Sequence, residues 1–306
     1  MKISKKSKYI SFSLIFTSII LSSFFLFTTC SNKNNQIKLY NTQTNQIETL
    51  DIEDYIEGVV AGEISNNSPL EALKAQAVLA RTFTLKFLRD NKSKYEGADI
   101  STDISEAQAY NKSNINENIK KAVKETKNLF VSYNNDYINA YFFANSGGKT
   151  ALFNEGFNSS DQKFNYINSV ESPENEQNSI NYKWTQTFEK NEILESLRNM
   201  GVSVSTINTF TKGELGESGR SITFIVGGKE ISANTFRLNI GSTKFKSTLI
   251  DSITINDESI TFKGRGYGHG VGLSQEGSII LANQGKTFDQ IINYYFKDVK
   301  IISKFN

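Results

Sequence analysis

Glycine fills every second position in Gly264-Arg265-Gly266-Tyr267-Gly268-His269-Gly270-Val271-Gly272, and the run continues into Leu273-Ser274-Gln275-Glu276-Gly277. This pattern constrains the chain strongly, because glycine permits positive φ and lets a ligand or another backbone approach closely. Read as an extended strand, the alternation bares one face and aligns Arg265, Tyr267 and His269 on the other. His269 is the only histidine in 306 residues. A bare backbone beside Arg, Tyr, His and Gln suits a polyhydroxylated ligand. Other readings compete with this one. A flexible linker favours Ser, Asn and Pro over interleaved Tyr, His, Val and Leu. A dinucleotide loop would need glycine where His269 stands, and no Gly-Lys-Ser/Thr follows. A structural turn stays open beside the ligand-facing segment.

The N-terminus carries Lys2, Lys5, Lys6 and Lys8, then an apolar stretch from Tyr9 to Phe27, then Cys30. This reads as an export signal over residues 1–30. Cys30 is the only cysteine, so no intrachain disulfide can form. Its position resembles a lipoprotein lipidation site, although Phe27 and Thr29 stand where Leu and a smaller residue are usual. The apolar stretch also suffices for an uncleaved span. Lipidated, anchored or released, the rest of the chain lies outside the cytoplasm, because the lysines stay inside. Residues 31–36 read as a tether and 37–306 as one domain. A net charge of +2 argues against nucleic acid as a partner. One histidine and one cysteine do not make a zinc site of usual type. Neither a metal nor a cofactor is expected.

Along the domain, Ile37–Leu50 predicts a hairpin. Asp51 caps a helix with Ile52, Ile56, Val59 and Val60 on one face, ending near Gly62-Glu63. Ser68, Pro69 and Glu71 predict a capping box on a second helix reaching about Leu88. Residues 91–118 read as loop, and a short helix spans about Ile119 to Thr126. Leu129–Tyr133 and Tyr137–Phe143 predict a strand pair turned at Asn134-Asn135. A helix near Asn191–Met200, three or four strands between Ile222 and Phe262, and a last helix over Thr287–Phe296 complete an α+β pattern. It has helices early, then a mainly antiparallel sheet or open barrel, and a C-terminal helix.

Glu63 is the leading candidate for chemistry. A carboxyl held at a helix–helix corner and partly desolvated has a raised pKa and can donate a proton near neutrality. A surface glutamate at a frayed helix end is the plainer reading. Lys74 and Arg81 lie seven apart on the next helix and read as a cationic stripe beside it. Lys74 equally suits a solvated face; Arg81, amid Leu79, Ala80 and Phe83, does so less. Asn145-Ser146-Gly147-Gly148 reads either as a turn or as the seat of a serine nucleophile, for which His269 is the only available base. No Gly-x-Ser-x-Gly motif accompanies it.

Three blocks together resemble the stage II sporulation protein D family, also called the SpoIID/LytB domain. They are Gly58-Val59-Val60-Ala61-Gly62-Glu63-Ile64 running into Glu71-Ala72-Leu73-Lys74-Ala75-Gln76-Ala77-Val78-Leu79-Ala80-Arg81-Thr82-Phe83; Tyr141-Phe142-Phe143-Ala144-Asn145-Ser146-Gly147-Gly148-Lys149-Thr150; and the glycine run through Gly277, with Ala282–Phe288 and Ile291–Phe296. Weaker echoes are Ala107-Gln108-Ala109-Tyr110, Ser218-Gly219-Arg220 and Phe236-Arg237. The resemblance implies a lytic transglycosylase that cleaves peptidoglycan glycan strands to 1,6-anhydro-muramyl ends, with Glu63 as its catalytic acid. It further implies that Lys74, Arg81, Ser146, Tyr267, His269 and Gln275 bind the glycan or orient Glu63. Some members bind zinc near the second block, where this chain has Phe143-Ala144-Asn145. Ile64-Ser65 replaces the usual Met-Pro after the glutamate, and Phe157 a usual Trp. Part of the family resembles enhancers of peptidoglycan amidases. The resemblance therefore also admits a non-catalytic wall-binding regulator with an amidase as partner.

Overall fold

The computed structural model describes residues 35–157 and 162–303. The export signal and Cys30 lie outside the described residues. In chain order the strands and helices begin with β1 (Gln36–Asn41), β2 (Gln46–Asp51), α1 (Ile52–Glu63), α2 (Leu70–Asp90), β3 (Ile100–Ser101) and α3 (Glu117–Glu125). Next come β4 (Leu129–Tyr133), β5 (Asp136–Tyr137), β6 (Phe142–Phe143), α4 (Phe153–Phe157), β7 (Lys183–Glu189) and α5 (Lys190–Asn199). Then follow β8 (Phe210–Lys212), β9 (Thr223–Val226), β10 (Lys229–Ser232), α6 (Ala233–Ile240), β11 (Ile250–Ile255) and β12 (Ser259–Arg265). The chain ends with β13 (Leu273–Ser274), α7 (Gln275–Asn283), α8 (Phe288–Tyr295) and β14 (Lys300–Ser303).

Among the described residues the sheets are small and mostly antiparallel, and none closes into a barrel; the parallel pairs are β1 with β3 and β6 with β13. The fold is α+β.

Its centre is α2. Small and apolar residues surround this helix, so it can be covered on several sides. Leu73, Ala77 and Ala80 join Tyr55, Ile56, Val59 and Val60 of α1 and Ile119, Ala122 and Val123 of α3 in one core. Ala75, Val78 and Leu79 belong to a second core with Val131, Leu273, Ile291, Ile292 and Tyr295. A third core is aromatic, with Phe188, Phe210, Phe224, Phe236, Phe245 and Phe262 around Trp184.

The predicted Asp51 cap forms, its carboxylate accepting the Glu53 N–H at 2.8 Å. The capping box at Ser68 does not. Pro69 is the N-cap and gives no side-chain cap bond, and Glu71 turns away to accept the Phe288 N–H at 2.8 Å. That bond fastens the start of α8 to the start of α2. The Asn134-Asn135 turn is present with φ of 51° and 61°. The strand after it breaks, however. β5 pairs with β4, whereas β6 pairs with β13. Helices α6 and α7 were not anticipated; α7 begins inside the third sequence block.

Candidate active site

The glycine run departs from the extended strand expected of it. Only Gly264 and Arg265 belong to β12; Gly266, Gly268, Gly270 and Gly272 all have positive φ, from 79° to 116°. A backbone that enters the left-handed region at alternate residues loses the pleat, so the intervening side chains do not share a face. Arg265 turns to Asp251, with Nε to Oδ1 at 2.9 Å. Tyr267 lies under the Lys246 ammonium at 5.2 Å. His269 packs among Tyr141, Phe143 and Phe157, and its Nδ1 accepts the Val271 N–H at 3.1 Å. Burial, then the Arg237 and Arg220 charges, push the His269 pKa down to about 3, so the imidazole is neutral at neutral pH. A base for Ser146 is also absent from its hydrogen bonds. Its N–H donates to Glu174 Oε1 at 2.9 Å, its carbonyl accepts from Arg220 at 2.7 Å, and its hydroxyl accepts the Gly148 N–H.

The second and third blocks are knitted together. Asn145 and Tyr267 exchange backbone hydrogen bonds at 3.1 and 2.8 Å, and the Glu276 N–H donates to the Ala144 carbonyl. Glu276 accepts from Asn145, Ser179 and Asn181. Glu174 accepts from Ser274 as well as Ser146. These contacts hold β13 in place, and with it the side chain that follows, Gln275.

Gln275 brings the third block to the first. Its side-chain amide is the side-chain donor that lowers the pKa of Glu63, the last residue of α1. The other donor to Glu63 comes from the loop before α3, where the Ala109 N–H reaches Oε1 at 2.7 Å. Glycine allows this approach. A Cβ on Gly62 would stand 2.7 Å from the Ala109 carbonyl carbon and 2.8 Å from the Tyr110 nitrogen. The loop is also fixed one turn earlier, where the Asn111 N–H bonds the Gly58 carbonyl and Tyr110 stacks on Tyr55. Burial raises the Glu63 pKa, and the two donors only partly offset it. Glu63 also stands at a helix C-terminus, whose partial negative charge disfavours a carboxylate in the same sense. Burial and the helix end thus both favour the protonated form of this carboxyl.

The remaining expected residues lie elsewhere. Lys74 is held between Glu71 and Glu125 at 2.8 and 2.7 Å. Arg81 is 1% exposed and grips Glu53, with Nη2 to Oε2 at 2.6 Å, while donating to the Leu129 and Val123 carbonyls. The cationic stripe therefore carries neutralising partners, and Arg81 and Ser146 are sealed from solvent. Their position favours a structural part over glycan contact. Residues that the pattern did not single out are Ala109, Gln76, Glu174 and Arg220. The Ala107–Tyr110 and Ser218–Arg220 echoes marked two of these segments without showing what they touch. Among the described residues no group of three or more His, Cys, Asp or Glu side chains gathers as a metal site would require.

A sequence profile described as stage II sporulation protein matches residues 40–133. A second profile, a domain of unknown function (DUF8618), matches residues 124–272. The chain is 31% identical over 281 residues to stage II sporulation protein D of Bacillus subtilis (strain 168), covering 87% of this chain and 78% of that one. The chain belongs to the stage II sporulation protein D family. The Bacillus amyloliquefaciens protein of that name is 30% identical over 280 residues, with the same coverage. The amidase enhancer of Bacillus subtilis is 26% identical over 297 residues, covering 81% of this chain and 40% of the enhancer.

Proposed function

We propose that this protein is a lytic transglycosylase of peptidoglycan glycan strands, with Glu63 as its single acid and base. The observation that carries this reading is the carboxyl at the end of α1. It is desolvated, its pKa is raised, and the Ala109 N–H and the Gln275 amide aim it. Protonated Glu63 donates to the glycosidic oxygen as the C1–O bond breaks. The resulting carboxylate takes the proton of the muramyl C6 hydroxyl as that oxygen closes on C1. No water is consumed, and the carboxyl returns to its acid form. Hydrolytic glycosidases place a second carboxyl about 5–9.5 Å from the first. Burial raises the Glu63 pKa, while the Ala109 N–H and the Gln275 amide lower it. An intramolecular nucleophile fits a one-carboxyl site, because proximity replaces the second group.

The test is mass spectrometry of purified glycan strands, with and without stem peptides, after incubation with the protein and with Glu63→Gln. The expected products are 1,6-anhydro ends, formed by the protein and lost in the variant by about 10²–10⁴-fold. Hydrolysed ends would overturn the transglycosylase assignment. Similarity to an amidase enhancer favours a second reading, a wall-binding regulator of a peptidoglycan amidase. Intact glycan together with amidase stimulation by both forms of the protein would support it. In either reading the proposed location is extracytoplasmic, held at the membrane through Cys30 or an uncleaved N-terminal span. No helix among the described residues is long and apolar enough to cross a membrane.

A further inference from the structure

Gln76 lies on α2 and is 1% exposed, in a helix whose other buried residues are mostly apolar. Its Oε1 stands 3.4 Å from Gln275 Nε2, and its own Nε2 is buried without a hydrogen-bond partner. The orientations follow from Glu63. In its ionised form the Glu63 carboxylate only accepts, so it is stabilised by the Gln275 NH₂ group turned toward it. The second N–H of that group faces Gln76, which must then present oxygen and leave its NH₂ unmatched. An unmatched buried amide costs about 1–3 kcal/mol. A Met or Leu of similar size would avoid that cost within this apolar surround. Packing and stability therefore do not account for a glutamine here.

We propose that Gln76 is a positioning residue for Glu63, acting through Gln275. It pins the Gln275 amide in the one orientation that directs N–H at the carboxyl. This rests on the reading of Glu63 as the acid. The surrounding elements carry, among other titratable and charged groups, Tyr55 and Glu57 on α1, Glu106 and Tyr110 on the covering loop, Lys74 on α2 and Glu276 on α7, while Glu53 on α1 is paired with Arg81 on α2. Glu106 accepts from Ser93 and the Lys94 N–H, Lys74 is paired with Glu71 and Glu125, and Glu276 is held by Asn145, Ser179 and Asn181. Burial raises the pKa of both tyrosines, which stay neutral phenols. The donor that can be withdrawn from Glu63 by side-chain substitution is thus Gln275, and Gln76 controls it.

The test uses the full chain in detergent, comparing Gln76→Met, Gln275→Met and the double variant. Gln76→Met should be at least as thermally stable as the parent, yet lose about 10–10²-fold in kcat through misorientation. The basic limb of its pH–rate profile should move to higher pH, because a donor that favours the carboxylate is weakened. The double variant should be no slower than Gln275→Met alone, since the two act as one unit. An unchanged kcat and pH profile in Gln76→Met would overturn the proposal, as would losses that multiply in the double variant. If Gln76→Met fails to fold, Gln76→Asn, whose amide is too short to reach Gln275, carries the same kinetic expectation. If the parent protein does not cleave glycan, the acid assignment fails separately. The difference in thermal stability between parent and Glu63→Gln as a function of pH then reports the Glu63 titration without turnover. That titration should move up in a Gln76→Met background, and no movement would sink the positioning role.

Discussion

At Glu63, burial and the helix end both disfavour charge, so the folded protein holds this carboxyl above its ordinary pKa of 4.5. The consequence for stability has a definite sign. A raised folded-state pKa contributes stability below the unfolded value and loses it as pH rises through the folded one. Glu63→Gln keeps an oxygen for the Ala109 N–H and removes the charge. The variant should therefore be more stable than the parent at neutral pH, with the advantage shrinking as pH falls through the raised folded-state value and gone below about 4.5, measured by thermal melts across pH. Arg81 is the opposite case. Its guanidinium is fully enclosed and paired with Glu53, and a lysine cannot reproduce the forked contact. Arg81→Lys keeps the charge but loses the fork, and should lower unfolding free energy by about 1–3 kcal/mol through the buried hydrogen bonds left unmade. Urea denaturation checks this, and the activity of the fraction that remains folded should be kept.

The elements show how the donor to Glu63 is built. Helix α1 presents Gly58 and Gly62 one turn apart, and the loop carrying Ala109, Tyr110 and Asn111 lies in the groove they leave. At Gly58 an added Cβ would meet the Tyr110 ring, which is a side chain and can turn; at Gly62 it would meet backbone. Gly62→Ala should therefore displace the loop, remove the Ala109 N–H from Glu63, and cost about 1–3 kcal/mol through overpacking. Glycan cleavage should fall more in Gly62→Ala than in Gly58→Ala, and equal losses would argue against the loop as the donor's carrier. The helix and its cap at Asp51 were legible in the sequence because both depend on local spacing. The covering loop was not, because it lies 46 residues from Glu63 along the chain and its contribution is a backbone N–H. Any residue but proline carries that group, so no residue type marks it.

Over the whole molecule, α2 divides the interior, with one core toward α1 and α3 and another toward β4, β13, α7 and α8. The third core, between Trp184 and Phe262, is built from rings. Phe245, at 0% exposure, touches Trp184, Phe188, Phe224, Phe236 and Phe262. Phe245→Ala should cost about 3–5 kcal/mol. Because Glu63, Gln275 and Gln76 draw on the other two cores, catalysis per folded molecule should persist. Thermal melts and glycan assays on the same samples check both halves of that expectation. The backbone of this aromatic region still touches the site block, since the Gly268 N–H donates to the Lys246 carbonyl and Ser247 Oγ to the Arg265 carbonyl. A loss of activity larger than the loss of folded protein would show that this route matters.

By itself the sequence determined what depends on near neighbours and residue type: the α+β order of elements, the Asp51 cap, the Asn134-Asn135 turn, and Glu63 at a helix–helix corner. It also carried the family, because three long blocks in order are specific even where each alone is not. The tertiary structure decided which of the block residues meet. Gln275 and Ala109 reach Glu63 across 212 and 46 positions, whereas Arg81, Ser146 and His269 turn into local packing. The same structure turned the glycine run from a flat strand into a chain with alternate left-handed residues. The reason is physical. Spacing along the chain reports the face a residue takes within its own element, while the partner on that face depends on how separate elements pack.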